Sequence, residues 1–429
     1  MRPATPFPER TVAIIYFLFR ITYSQNGRLG VGCALIILMS ITNHFPSREP
    51  NDGALLFHAD ASDPDLLYFS GFNAVDPYLA FTLGRKKIGV IPALEYGRMV
   101  KESTFDEVLL QQEIEREAAL CFSLAEGLKP DMSQVVRHLA KRYGIREFRV
   151  GNRFPAGLFA ELQQSGVRIT ADKNGGLFPG RVCKTAAEVG ALRKGNRASA
   201  AGFRVVAKTL EQSTVRNGNV VFQGQVLTSE RLRELIHHAC LDEGAIALHT
   251  IAAAGDQVCD NHCVGYGPIR AGELIVVDIF PQRIADRYWG DMSRTFLKGR
   301  ASDAQRRLVR TVRRAHQLAI GMIKPGVSGG KVHRAIEVFF AKEGYETDRT
   351  SSEPKGFFHA LGHGVGLEIH EDPFIRADAT FRFRKGMVVT VEPGLYYRGL
   401  GGARIEDVVH LVPGGNELIS SAPYKWEIP

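Results

Sequence analysis

The stretch FFHALGHGVGLEIHE, residues 357–371, places His359, His363 and His370 within fifteen residues. His359 and His363 have the i, i+4 spacing of a helical zinc site. Gly362, Gly364 and Gly366 fall in and around that spacing, and glycine every second residue makes a poor helix interior. The HExxH zincin arrangement is also absent. His370-Glu371 is followed by Asp372, Pro373 and Phe374, with no second histidine at the required place. The stretch therefore reads as a glycine-rich strand or bend whose backbone comes close to something, and its partners have to be sought elsewhere in the chain.

Acids inside apolar runs supply them. Asp278 ends ELIVVD, Asp291 lies in YWGDMSRTF, Glu392 follows MVVTV, and Glu406 lies in ARIEDVV. A carboxylate within a β-branched run is expected to be buried, and a buried charge must be paired or coordinated. Taken singly, each has a plainer explanation: Asp278 as a turn cap, Glu406 as a partner of Arg404, His363 as a core histidine. Taken together, four acids and an imidazole make a coherent oxygen-rich metal site, suited to manganese, iron, cobalt or zinc rather than to a thiolate-preferring metal. Four carboxylates balance about two divalent ions. Such a pair can hold a bridging water as a nucleophile while polarising a carbonyl, which is hydrolase chemistry.

The bulk of the chain fits a protein of that kind. At 429 residues it exceeds what one core usually supports, so two domains are expected. Charged residues make up 23% and apolar ones 45%, ordinary values for a globular protein. Lys+Arg 54 against Asp+Glu 46 leaves a formal +8. Part of that excess is Arg306, Arg307, Arg310, Arg313 and Arg314, read as the solvated face of a helix. No groove-reading motif accompanies the charge, so no nucleic-acid partner is expected. The six cysteines show no CxxC pair and no even framework, which points to a reduced, cytoplasmic chain. CDNHC at 259–263 lacks a second ligand pair and is not read as a zinc knuckle.

Residues 1–50 are read as an N-terminal extension. Its apolar runs 11–19 and 29–41 are each shorter than the roughly 20 residues of a spanning helix. They read as an over-extended start ahead of Met39, as an export signal or as a membrane anchor, and membrane association is expected only if 11–41 is a genuine anchor.

From residue 52 the pattern is α/β. ALLFHA and LYFSGF read as strands, FTLGRKKIGVIPAL as strand–turn–strand, 107–126 and 131–143 as helices, and EFRVGN as a strand. This domain, 51–178, ends in the breaker-rich loop DKNGGLFPG. KTAAEVGALRKGN then opens a helix with Thr185 as N-cap and Glu188 three residues on. A second helix covers SERLRELIHHACLDEG, and strands follow in ALHTIAAAG, ELIVVDIF and RYWGDMSRTF. The order then repeats: helices at 303–322 and 328–343, and strands around 357–371, 387–392 and 403–412. The second domain, 179–429, is thus expected to be α+β with an internal pseudo-twofold duplication.

KTAAEVGALR, VVD…GDMSRTF, HALGHGVGLEIHE, VEPGLY and GARIED, in that order, resemble the creatinase/aminopeptidase P/prolidase family, the M24 metallopeptidases. The resemblance covers about 180–415, and 52–178 looks like the family's N-terminal domain. It implies a creatinase-like α/β domain followed by a pita-bread catalytic domain. It also implies two divalent metal ions, most simply manganese, with cobalt, zinc or iron as alternatives. By the resemblance the ligands are Asp278, Asp291, His363, Glu392 and Glu406, with Asp291 and Glu406 bridging. Glu392 would shuttle the proton, His262, His359 and His370 would face the substrate, and Arg404 would hold an acidic ligand in place. The implied reaction is hydrolysis of an Xaa-Pro peptide bond, with proline at P1′, by a homodimer of the aminopeptidase P or prolidase type. The alternatives are a non-catalytic peptide- or protein-binding relative and a creatinase-like amidinohydrolase.

Two features depart from the family pattern or stay open. The Asp278–Asp291 spacing is two residues longer than the family's, with the extra length in the turn QRIADRY, where Asp286 is expected to be solvated. A dipeptidase also needs a cation for the product carboxylate, and Arg376 and Arg398 are candidates.

Overall fold

The computed structural model describes residues 17–23, 29–35, 53–172, 176–422 and 424–429. Phe17–Tyr23 and Leu29–Leu35 pair as antiparallel strands. The rest of the apolar extension lies outside the described residues. Ser47–Pro429 cluster into one compact unit. No helix among the described residues is long and apolar enough to cross a membrane.

The first part is a mixed six-stranded sheet. Its order is Glu107–Leu110, Lys86–Ile91, Tyr78–Leu83, Ala54–Ala59, Glu147–Val150, Arg168–Ala171. Successive side chains on a strand face opposite ways, and both faces are used. Leu56, Phe81 and Ile88 pack under Val135, Val136 and Leu139. Leu55, Phe57 and Tyr78 pack with Leu66, Phe69 and Phe72 on the other face.

Two expectations fail here. LYFSGF is not a strand; Pro64–Ser70 is a helix. The Asp63 carboxylate accepts from the Leu66 amide, Pro64 sits in the first turn, and Gly71 ends the helix at φ 64°. Those caps outweigh the strand-like composition. The helix read over 107–126 begins as a strand, Glu107–Leu110, running parallel to Lys86–Ile91, and the helix covers only Gln111–Cys121. The helices Ala93–Glu102 and Ala156–Gln164 and the strand Arg168–Ala171 have no counterpart in the sequence reading.

The second part shows the expected repetition. Helix α1 (Ala186–Gln212) starts at a capping box between Thr185 and Glu188 and is followed by α2 (Ser229–Asp242). Both cover strands β1 (Ile251–Ala254), β2 (Leu274–Ile279) and β3 (Met292–Lys298). Phe203, Val206, Leu232 and Ile236 from the helices meet Ile275, Val277 and Phe296 from the strands. Residues 427–428 complete this sheet by running parallel to β3. Helices α3 (Asp303–Met322) and α4 (Gly329–Lys342) then cover β4 (Gly362–Gly364), β5 (Glu371–Ile375), β6 (Val388–Val391) and β9 (Asp407–Val412). Leu308, Val312 and Ile336 pack on Val389, Val391 and Val409. Between the two sheets lies the hairpin β7 (Gly394–Tyr397) and β8 (Gly401–Arg404).

Candidate metal centre

The first sheet presents two carboxylates through one hairpin. In the antiparallel pairing of β2 with β3, Asp278 stands opposite Ser293 and Ile279 opposite Met292, so Asp291 immediately precedes the paired region. The long connection closes on itself. Gly290 donates to Pro281 O at 2.9 Å, Arg283 donates to Tyr288 O at 2.9 Å, and Gln282–Arg283 pair with Ala245–Ile246. The additional residues thus form a side ribbon and leave the placement of Asp291 to β3. Asp286 is held there by Arg283 Nε at 2.9 Å and does not line the cavity. Helix α1 crosses at Gly195, where a side chain on it or on Gly290 would strike the other's backbone. At that crossing Asn196 Oδ1 accepts from the Asp291 amide at 3.0 Å.

The second sheet brings His363, Glu392 and Glu406. His363 sits on β4, its amide donating to Thr390 Oγ1 at 3.0 Å. The glycines beside it do make room for a close approach. What approaches is protein: a side chain at Gly362 would collide with the Thr390 carbonyl, at Gly364 with the Asp372 carbonyl, and at Gly366 with the Glu371 carboxylate. The glycines let β4 lie tightly between β5 and β6, and that fixes the histidine.

His363 Nδ1 faces the Gly364 carbonyl at 3.0 Å. A carbonyl only accepts, so Nδ1 carries the proton and Nε2 presents its lone pair. Nε2 lies 3.6 Å from Asp291 Oδ2 and 3.4 Å from Glu392 Oε1. Asp291, His363 and Glu406 each offer a donor atom, and these atoms all lie within 4.8 Å of one another. Asp278 and Glu392 line the same cavity, of about 410 Å³.

The charge of this cavity is unbalanced. Arg404 is the one arginine or lysine among the described residues lining it. Burial pushes the Asp291 and Glu406 carboxyls well above the carboxylate range, and neighbouring carboxylates add to the shift. Burial pushes Glu392 up to about 8, with Asp278 contributing and Arg404 opposing. The His363 imidazole is pushed down to about 4, by burial and then by His370. Asp278 Oδ2 accepts from Arg404 Nη2 at 2.8 Å, while its Oδ1 is shielded from solvent without a hydrogen-bond partner. Clustered carboxylates, an imidazole lone pair and an orphaned carboxylate oxygen are the donors a divalent cation takes, so the residues fit a metal.

His262, His359, His370 and Arg404 line the same cavity, so these four come together with the five candidate ligands. The His370 ring stands edge-on to that of His363 at 4.4 Å. His262 is exposed. His359 lines the cavity with both of its nitrogens engaged within the protein. Nδ1 donates to Ala360 O at 2.7 Å, and Nε2 lies 3.1 Å from the Tyr396 hydroxyl. Burial, then Arg404, lowers this imidazole to about 3.

Sequence reasoning missed Tyr396 and Ser293. Arg404 Nη1 donates to the Tyr396 hydroxyl at 3.1 Å, which leaves the phenolic proton for His359 Nε2. Ser293 Oγ accepts from Arg404 Nε at 3.0 Å and donates to Glu406 Oε2 at 2.9 Å. The signal for each was its place inside a quoted motif, Tyr396 in VEPGLY and Ser293 in GDMSRTF. Arg376 and Arg398 do not line the cavity. Arg376 lies beside Asp378 at 3.9 Å, and Arg398 beside Asp260 at 3.2 Å.

Comparison with known proteins gives this geometry a context. Residues 190–413 match the sequence profile of "Metallopeptidase family M24". A curated relative, the Xaa-Pro dipeptidase of Pyrococcus furiosus, is 35% identical over 175 residues, 41% of this chain and 47% of that protein. The chain thus aligns with about half the length of that relative. The solved Xaa-Pro dipeptidase from Bacillus anthracis superposes with a TM-score of 0.73 over 88% of this chain and 95% of that one, at 21% identity. The X-Pro aminopeptidase from Thermotoga maritima does so with 0.71 over 88% and 97%, at 23% identity. At such identities these two likenesses speak for the fold, which is the α/β-plus-pita-bread architecture expected above.

Proposed function

Because the chain belongs to metallopeptidase family M24, we propose that it is a two-metal peptidase cleaving the bond before proline. The observation that carries this reading is the single cavity lined by Asp278, Asp291, His363, Glu392 and Glu406 together with three further histidines and Arg404. Those five side chains would hold two divalent ions, manganese by preference and cobalt, zinc or iron as alternatives. Bound there, the ions would lower the pKa of a water and polarise the scissile carbonyl.

The chain's own groups do the rest. Glu392 takes a proton from the attacking water and returns it to the departing proline nitrogen. His262 and His370 offer N–H donors to the peptide. His359 acts through Tyr396, which together with Arg404 fixes Asp278. Arg404 spends its donors on Asp278, Ser293 and Tyr396. Among the described residues the cavity therefore keeps no arginine or lysine free for the carboxylate of a dipeptide, and this favours peptides longer than two residues, the aminopeptidase P type. The retained ligand set speaks against a purely binding relative. The division at 178/179, a homodimer and a cytoplasmic setting are parts of the same proposal. Cys121, Cys183, Cys240, Cys259 and Cys263 are free.

The test is an assay of an Xaa-Pro dipeptide and an Xaa-Pro-Xaa tripeptide, with and without Mn²⁺, beside Glu392→Ala. Metal-dependent cleavage, faster on the tripeptide and lost in the variant, is expected. Bound metal without cleavage would assign the site to another amide, and a protein that binds no metal would overturn the mechanism.

A further inference from the structure

The arginines of α3 are largely solvated, Arg307, Arg310, Arg313 and Arg314 being exposed, but they turn to two different neighbours. Arg307 and Arg314, seven residues apart, turn to Glu343: Arg307 Nη2 donates to its carbonyl at 2.6 Å and Arg314 Nη1 to its carboxylate at 2.9 Å. Arg306, Arg310 and Arg313 follow the i, i+4, i+7 spacing of another face. They line a pocket of about 120 Å³ with Arg294, Tyr424 and Trp426. Ile405 also lines it, while the neighbouring Glu406 lines the metal cavity. The pocket therefore lies on the reverse of the segment that presents Glu406.

Among the described residues no acid lines this pocket, and those paired with its arginines are already committed. Asp407 accepts from Arg294 Nη2 at 2.8 Å, Ser420 Oγ at 2.7 Å and the Tyr424 hydroxyl at 2.8 Å. Glu427 accepts from Arg306 at 2.7 and 3.1 Å and from the Ala301 amide at 3.0 Å. Arg310 and Arg313 have no carboxylate among the described residues. Arg313 lies over the Tyr424 ring, 4.9 Å from its centroid. Two further donors are unmatched. Arg294, 2% exposed in its side chain, has an Nε shielded from solvent without an acceptor, and the Trp426 indole N–H has no partner among the described residues. Guanidinium forks beside an indole N–H, with no acid left to neutralise them, are the donor set of an oxyanion.

We propose that this pocket binds a small oxyanion of the phosphate class, held by Arg310 and Arg313 against Trp426. The site is separate from the metal cavity. Its occupant reaches the metal centre through Arg294, whose Nη1 donates to Glu406 O at 2.6 Å.

Trp426 supplies the readout, since the chain has 2 tryptophans and Trp289→Phe leaves Trp426 alone. In that background, the intact protein is titrated with inorganic phosphate at constant ionic strength and followed by tryptophan emission. A saturable change is expected. It should weaken at least tenfold in Arg310→Gln/Arg313→Gln, or in Arg310→Gln alone should the double variant unfold. It should be unchanged in Arg314→Glu, which removes charge from the same helix outside the pocket. No saturable change, or one that survives loss of Arg310 and Arg313, would mean an adventitious ion only, or phosphate acting at the metal centre, and would overturn the proposal.

Discussion

Glu371 and Glu406 are both buried carboxylates beside the second sheet, and they sit in opposite electrostatic surroundings. Glu371 meets Lys184 Nζ at 2.5 Å and Arg181 Nη2 at 2.8 Å, and these cations hold its carboxyl below the usual range although burial acts to raise it. Glu406 meets Asp291, Glu392 and Asp278, and burial with those like charges lifts it far above that range. In the first cluster the chain answers a buried charge with its own cations. In the second it collects negative charge and, among the described residues, supplies only Arg404. An acid cluster left unanswered inside a protein is what a cation from solution is needed to complete, and the answered cluster shows that the same fold can balance such charge when binding is not the purpose.

The comparison breaks most visibly at Glu392. Glu392→Gln should lower kcat about 10²–10⁴-fold in a peptide assay. Lys184→Met should instead cost about 3–5 kcal/mol of stability in denaturant unfolding by leaving Glu371 short of a cation, with metal content per chain unchanged. Were the Lys184 variant to lose metal and keep its stability, the distinction between the clusters would fail.

pH sharpens the contrast. Glu392 is raised from 4.5 to about 8 in the folded, metal-free chain. Its contribution is therefore fully present below the unfolded value near 4.5 and is lost as pH rises through 8. Glu371 is lowered, so its contribution is present above the unfolded value and is lost as pH falls through its folded value. Melting temperatures of metal-stripped protein should thus fall between pH 5 and 8, and Mn²⁺ should flatten that slope. The smallest effect is expected at Tyr396→Phe, which removes the hydroxyl shared by Arg404 and His359. It should lower kcat/KM about 10–100-fold with metal content retained.

Much of this was legible in the chain itself. The five candidate ligands stand in short motifs because acids in β-branched runs and a histidine among glycines are locally odd, and local oddity is what a sequence displays. The Thr185–Glu188 capping box likewise announces its helix from four residues. The Lys184–Glu371 pair joins residues 187 positions apart, and neither neighbourhood signals the other. Tyr396 reads as a core aromatic until the fold sets it between Arg404 and His359. LYFSGF has strand composition, yet the helix Pro64–Ser70 is decided by its caps, Asp63 ahead of that run and Gly71 within it. The five arginines of α3 looked alike in sequence, and only the packing of Tyr424 and Trp426 separates two faces.

The first sheet of the second part carries Asp278 and Asp291, yet its outer strand comes from residues 427–428. Lys298 Nζ donates to the carbonyl of Pro429, 131 residues on. During synthesis at about 5–20 residues per second, that edge stays open on the order of ten seconds after β3 has been made. The carboxylates of the first half are therefore displayed on an unfinished sheet until the second half, which brings His363, Glu392 and Glu406, has itself emerged. A nascent chain built in this order has no completed metal centre, and a chain stalled before residue 427 leaves the β3 edge uncovered as a template for unwanted strand pairing.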